Sequence, residues 1–255
     1  MAYLRPEDEF VADNIDLPII GIASDLSLHD SGFHQHDHHT QILYAPSGCM
    51  TLISDKVQVV LPPSKLLVIP PRVRHRVTFR NVVAYRSIYI REKDFELAAM
   101  ITVLSVNPLF REVIERICYW DWEEYSEENK NLLKVFWDEF NHSTVSNFSL
   151  SIPNDYRIKD IIEKYLLHEE IPPFLNELAL QVGASEKTIS RIFKKETGMS
   201  YQNWRLQWRL FRAIELLAEH RTIGEITYEL NFSSDSAFIE FFKKQTGVTP
   251  NKYII

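Results

Sequence analysis

The sequence predicts an α+β chain: a small antiparallel β-barrel of the jelly-roll kind with flanking helices, then an all-α domain holding two helix-turn-helix units. Three observations carry this. Seven short runs rich in Val, Ile, Leu, Thr and Tyr fill the first 92 residues, separated by Pro, Gly, Ser and Asp. Beyond them apolar residues recur at three- and four-residue spacing. One pattern, closing on Phe193-Lys-Lys-Glu-Thr-Gly, returns as Phe242-Lys-Lys-Gln-Thr-Gly. Such self-similarity marks one supersecondary unit used twice.

In order, the strands are expected at 19–26, 41–45, 50–54, 57–61, 66–69, 77–79 and 84–90, with 50–61 forming a hairpin. Several short strands at this spacing suggest a barrel or sandwich, placed at residues 1–92. Residues 93–141 turn helical, at 95–103, 109–119 and 129–140, with Pro108 near a helix start. The polar, Ser/Asn-rich stretch 142–153 reads as a linker. Asn154 or Asp155 then caps the first helix of a domain at 154–255, a helix running to about residue 168.

Each repeated unit has the physics of its motif. A short helix buries Leu175, Leu178, Ala179 and Val182 in the first copy, and Ile223, Ile226 and Leu230 in the second. Gly183 or Asn231 follows, residues that accept a left-handed backbone. Ser185 and Ser234 stand where a helix cap is needed. The next helix faces inward with Ile189, Ile192 and Phe193, or with Phe238, Phe241 and Phe242. Two short helices and a tight turn are the unit that places its second helix in the DNA major groove. The helix joining the copies, 201–219, is apolar nearly all round in its first half, with Arg205, Arg209 and Arg212 as its polar face.

The stretches ASEKTISRIFKKETGMS, WRLQWRLFRAIELL and SSDSAFIEFFKKQTGVTPNKY resemble the DNA-binding domain of AraC/XylS-type bacterial transcription regulators. The resemblance is tight over the last 100 residues or so and loose elsewhere. It implies double-stranded DNA as partner, base contacts at Lys187, Ser190 and Arg191, a dimerisation helix within 93–141, RNA polymerase as a further partner, and activation rather than repression. Helical spacing independently leaves Glu186, Lys187, Ser190, Arg191 and Lys194 outward, with Ser185 and Thr188 near phosphate. Arg191 can fork the O6 and N7 of guanine. In the second unit the outward positions are Asp235, Ser236, Ile239 and Glu240; the acids repel phosphate unless one accepts from a cytosine amino group. Lys243 and Lys244 remain for the backbone.

The segment FHQHDHHTQ resembles the first cupin motif, with His34, His36, Gln41 and Gly48 at its positions. Pro70, Arg72 and His75 fall on the second, which here lacks its Gly and Asn. A cupin-like site would use His34, His36, Gln41 and His75, and imidazoles suit a divalent transition metal. The cupin carboxylate is replaced by the neutral amide of Gln41, so a metal held by His34, His36 and His75 stands beside a metal-free pocket for an organic effector. Its anchors would be His34, His36, Gln41, Tyr44 and His75; Tyr44 reads equally as core. His38 and His39 read as a solvated pair, and Arg72-Val-Arg-His-Arg as an anion holder or a solvated loop.

Charge sharpens the division. The whole chain carries 28 Lys+Arg against 35 Asp+Glu; residues 1–150 hold 14 against 21, leaving 14 against 14 beyond. The C-terminal part is therefore balanced rather than basic, and its DNA face must be basic by local clustering. Cys49 and Cys118 make no disulfide framework. With no apolar run of membrane length and no leader pattern, the expectation is a cytoplasmic chain off the membrane. No nucleophile–base pair or phosphate loop stands out, so a ligand-responsive regulator is expected and not an enzyme. The other readings are a metal or redox sensor using the histidines and Cys49, or a metal-dependent cupin enzyme with an accessory helical domain. Phe110, Ile117, Trp120 and Trp137 are the candidate anchors of a homodimer.

Overall fold

The computed structural model describes residues 3, 5, 10–26, 30–79, 83–93, 95, 97, 99–122, 127–146, 148–166 and 170–253. A 3-10 turn (Ala12–Asn14) precedes β1 (Ile19–Leu26), β2 (His39–Tyr44), β3 (Met50–Ser54), β4 (Val57–Leu61), β5 (Lys65–Ile69), β6 (His75–Phe79), β7 (Val83–Arg91) and β8 (Thr102–Ser105). Then come α1 (Pro108–Tyr119), α2 (Glu127–His142), β9 (Val145–Ser146), β10 (Leu150–Ser151) and α3 (Lys159–Leu166). The remainder is helical: α4 (Leu175–Gln181), α5 (Glu186–Thr197), α6 (Tyr201–Ala218), α7 (Ile223–Glu229), α8 (Asp235–Thr246) and α9 (Pro250–Tyr253). Where α3 ends relative to residue 168 lies outside the described residues.

The strands form a six-stranded sheet ordered β1-β7-β2-β5-β8-β9 and a four-stranded sheet ordered β10-β4-β3-β6. All seven strands read from the sequence are present within two residues at either end. Among the described residues the expected helix over 95–103 is not found, and Thr102–Ser105 is strand β8, antiparallel to β5 with Lys65 opposite Ser105. The β-branched Thr102 and Val103 and the open edge of β5 outweigh a helical spacing that rested on few residues.

By contacts the chain divides into two compact units, Met1–Leu52 with Leu61–Phe148, and Ile53–Val60 with Ser149–Ile255. In the first, α1 and α2 bury Phe110, Ile114, Ile117 and Phe136 against Ile42, Tyr44, Val68, Ile88 and Ile90 of the six-stranded sheet. Phe110 and Ile117 are thus core residues with no exposed surface, which removes them as interface anchors. Trp120 and Trp137 pack partly buried on the same cluster. α1 crosses β1 so closely that a Cβ on Gly21 would stand 2.1 Å from the Ile117 carbonyl oxygen. Because that neighbour is helix backbone, Gly21→Ala is expected to cost about 1–3 kcal/mol. A urea melt indistinguishable from that of the parent chain would contradict this close approach.

In the second unit, the stretch expected as linker is tied down. Leu150 and Ser151 pair with Gln58 and Val57, the Ile152 amide donates to Lys56 O at 2.8 Å, and Trp204 Nε1 donates to Ser151 O at 2.8 Å. α3 starts at Lys159, and Asp155 caps the turn before it: its side chain accepts from the Arg157 amide at 3.1 Å and its carbonyl from the Ile158 and Lys159 amides at 3.0 Å.

α6 holds the helical unit together. Its N-terminal half packs Tyr201 and Trp204 edge-to-face against Phe193 of α5, at 4.9 and 5.4 Å between ring centres. The expected polar face is not solvated: Arg205, Arg209 and Arg212 are all buried. Arg205 Nε donates to Pro172 O at 2.6 Å, and Arg209 donates to Leu230 O at 2.5 Å and lies 3.8 Å above the Phe232 ring. Arg212 reaches Glu229 at 2.7 Å, Glu215 at 3.3 Å and Glu219 at 3.6 Å. Arg212 thus pairs its charge with carboxylates, while Arg205 and Arg209 satisfy their N–H groups on carbonyls and lie over the Phe174 and Phe232 rings, with burial lowering the pKa of both.

Candidate DNA-reading surface and sensor cavity

The two helix-turn-helix units repeat in their hydrogen bonds as well as their letters. After α4, Gly183 turns left-handed at φ 63° and the Ala184 amide returns to Ala179 O at 3.0 Å. After α7, Asn231 does the same at φ 53° and the Phe232 amide returns to Thr227 O at 2.9 Å. The second copy has one extra turn residue, Ser233. Ser185 and Ser234 cap α5 and α8, each accepting a backbone amide, of Thr188 and Ala237, at 3.2 Å. Gly198 (φ 74°) and Gly247 (φ 83°) close the two helices in the left-handed conformation.

On α5, Ile189, Ile192 and Phe193 are buried, while Glu186, Lys187, Arg191 and Lys194 are exposed and Thr188 and Ser190 half-buried. Lys187 and Arg191 stand one turn apart on the same face, which carries no ion pair for either among the described residues. Lys194 Nζ donates to Gly198 O at 2.9 Å, so it also serves the helix end. On α8, Asp235, Ser236, Glu240 and Lys243 are exposed and Phe238 and Phe242 buried. Phe241 is only half-buried, its ring 5.1 Å from that of Phe232, a correction to its expected place in the core. Ile239 is half-buried too, which leaves the α8 face more acidic than that of α5.

In the first unit a cavity of about 450 Å³ is lined by Ile22, Val77, Phe79, Tyr85 and Tyr89 together with His34, His36 and Gln41. His34 and His36 do not share a strand. His34 pairs by backbone with His75 at the start of β6, and its ring centre lies 4.4 Å from that of His75 and 5.2 Å from that of His36. One nitrogen from each of the three rings lies within 4.8 Å of the others. His34 Nδ1 faces Gly32 O at 3.1 Å and His75 Nδ1 faces Val73 O at 2.8 Å, so both rings carry their proton on Nδ1. His36 Nε2 is buried without a hydrogen-bond partner.

Gln41 stands beside this cluster, its amide 3.1 Å from His75 Nε2 and within 3.2 Å of Tyr85, Ser87 and Tyr89 hydroxyls. A neutral His75 protonated on Nδ1 offers a lone pair at Nε2, so Gln41 meets it with NH₂ and turns its carbonyl to the hydroxyls. Burial pushes His36 and His75 down to about 4, with the neighbouring His34 adding to the effect at both, so both are neutral at pH 7. Tyr85, Ser87 and Tyr89 were not singled out in the sequence, although their i, i+2, i+4 spacing on one strand puts them on one face.

Several expected anchors move. Tyr44 lies on the opposite face of β2 from Gln41, in the core against α1 and α2, and leaves the ligand set. His39 is buried and pairs through Nδ1 with Asp13 at 2.8 Å, so it is not part of a solvated pair; His38 is exposed. The basic run after β5 is no open anion site: Arg72 pairs with Glu92 at 2.6 Å, Arg76 Nε donates to Asp30 at 2.8 Å, and Arg74 lies 4.2 Å over the Phe33 ring.

Residues 178–254 match the model of the helix-turn-helix domain, and residues 16–143 match that of the AraC-like ligand binding domain, which covers half the chain. The HTH-type transcriptional regulator NimR of Escherichia coli is 27% identical over 88% of this chain and 82% of its own. The uncharacterized HTH-type transcriptional regulator YobQ of Bacillus subtilis is 27% identical over 87% and 88%. The structure of ToxT from Vibrio cholerae bound to an unsaturated fatty acid aligns over 92% of this chain and 94% of that one, at 15% identity and a TM-score of 0.38. With a ligand-binding domain ahead of its helix-turn-helix units, the chain belongs to the AraC family of transcription regulators.

Proposed function

We propose that α5 supplies the sequence-specific DNA contacts and that the histidine-lined cavity takes the small-molecule effector. The observation that carries the first half is the exposed Lys187–Arg191 face on a helix fixed at both ends by its caps. Arg191 and Lys187 read base edges with Ser190, while Ser185 and Thr188 position on phosphate and Lys194 adds charge at the helix end. α8 contributes Lys243 to the backbone and a narrower readout through Glu240, with Ser234, Asp235 and Ser236 at its DNA-facing start. The effector contacts His34, His36, Gln41 and His75, and biases the populations of DNA-competent and incompetent arrangements.

Homodimerisation would use the exposed Leu109, Tyr119 and Val135 of α1 and α2, which replace the buried anchors expected from sequence. RNA polymerase is the further partner, and the setting is the cytoplasm. Among the described residues no helix is long and apolar enough to cross a membrane. The redox reading loses ground because burial pushes the Cys118 thiol up and away from its reactive thiolate, and Cys49 is buried. We infer binding rather than catalysis for the barrel.

The test is selection of bound duplexes from a randomised library, followed by affinity measurements on the selected site. Glu240→Gln is expected to relax preference at one base pair with little change in affinity. Tighter but unselective binding would show that Glu240 only repels phosphate. A library that yields no preferred sequence would overturn the assignment of α5.

A further inference from the structure

The three histidines are arranged for more than hydrogen bonding to an organic effector. We propose that His34, His36 and His75 hold one divalent transition-metal ion through their Nε2 atoms, leaving a coordination position open to the cavity, and that the effector binds there through an anionic donor. This rests on reading the barrel as the sensor.

The chemistry of the donors supports it. Metal-bound imidazoles characteristically donate their other N–H to a carbonyl or carboxylate, which fixes the tautomer and aims the free lone pair. His34 and His75 already do this through Gly32 O and Val73 O. His36 Nε2 is a buried polar atom with no partner, the kind of group that costs free energy unless something fills its site. The three nitrogens stand within 4.8 Å of one another, and tetrahedral zinc with Zn–N bonds of about 2.0–2.1 Å brings such atoms to roughly 3.3 Å. Rotations of the half-buried His34 and His36 rings toward the fully buried His75 span that difference. His75 would exchange its Gln41 contact for the metal.

The same donors say what the fourth ligand is. Three neutral imidazoles and a neutral Gln41 leave the ion's double positive charge uncompensated in a cavity walled by Ile22, Val77 and Phe79. Asp30, which also borders this cavity, is committed to Arg76, and Asp13 to His39. A carboxylate, phenolate or thiolate on the effector would supply the missing charge.

The experiment uses the full chain, stripped with chelator and titrated with cobalt(II), then with zinc in competition. One equivalent is expected, with the visible bands of four-coordinate cobalt that shift when azide is added. His36→Ala should weaken binding by roughly a hundredfold, whereas His38→Ala, at an exposed ring, should leave it unchanged. Gln41→Glu should tighten it at least tenfold by restoring a carboxylate. Thermal melts of each variant confirm folding, and Gln41→Glu keeps the test open if His36→Ala does not fold. Binding below one equivalent, or binding insensitive to His36→Ala and Gln41→Glu, would overturn the site; bands unmoved by azide would overturn the open position. Metal-free protein that still selects a duplex through Arg191 would leave the regulator reading intact while the metal proposal fell.

Discussion

Replacing Arg191 with alanine is expected to weaken binding to the selected duplex by roughly fivefold to more than a hundredfold, the equivalent of about 1–3 kcal/mol for one good base contact. The effect should appear in specific affinity and hardly at all in stability. Arg191 is exposed on α5, and the helix is anchored by Ile189, Ile192 and Phe193 and capped by Ser185, none of which depends on it. Arg191→Lys separates charge from geometry. Lysine keeps the positive point charge but lacks the planar fork that meets O6 and N7 of guanine together. It should therefore retain non-specific affinity while losing selectivity at one base pair. Lys187→Ala is the contrast: as a point charge without the planar fork, Lys187 should cost less selectivity when removed than Arg191, while the loss of one cation gives a shallower salt dependence. The C-terminal part carries no net charge (28 − 14 = 14 Lys+Arg against 35 − 21 = 14 Asp+Glu), so few cations share this work. If Arg191→Ala leaves affinity and base preference unaltered, α5 is not the reading helix.

Much of this fold was legible because its signals are local. Strands such as Met50–Ser54 and Val57–Leu61 are bounded by breakers, and the helix-turn-helix units announce themselves by a residue that tolerates positive φ followed by a serine cap. What sequence could not supply was long-range. Whether Thr102–Ser105 is strand or helix depends on the edge of β5, 34 or more residues away. Whether stretch 142–153 is free depends on pairing with Gln58 and on Trp204. Tyr44 and Gln41 lie three residues apart on one strand and therefore face opposite sides, yet only the placement of α1 and α2 decides which side is core. The carbonyls that orient His34 and His75 are local, Gly32 and Val73 each standing two residues upstream, whereas the meeting of His34 with His75 and the hydroxyls around Gln41 emerge only when the chain folds β6 beside His34 and β7 beside β2.

Arg212→Ala is expected to cost about 3–5 kcal/mol, the usual penalty for removing one partner of a buried ion pair. The number is large because of what remains. Arg212 is the cation among Glu215, Glu219 and Glu229, with Glu215 only 5% exposed. Burial alone would lower the pKa of the guanidinium, but Glu215, Glu229 and Glu219 outweigh it and raise it above its ordinary value. Without it, three carboxylates face one another with reduced access to water, and they must take up protons or push apart. The strain falls on a functional joint, since Glu229 ends α7 while Arg212 and Glu215 belong to α6, the helix that links the two DNA-binding units. Amide exchange through α7 should quicken by roughly a hundredfold or more, about 3 kcal/mol of local stability, while exchange in α5 changes far less. Glu215→Gln added to Arg212→Ala should recover part of the loss by removing one of the stranded charges. If Arg212→Ala leaves α7 as protected as in the parent chain, the cluster does not fix the second unit, and the placement of α8 on DNA must depend on the Phe232, Phe238 and Phe242 contacts instead.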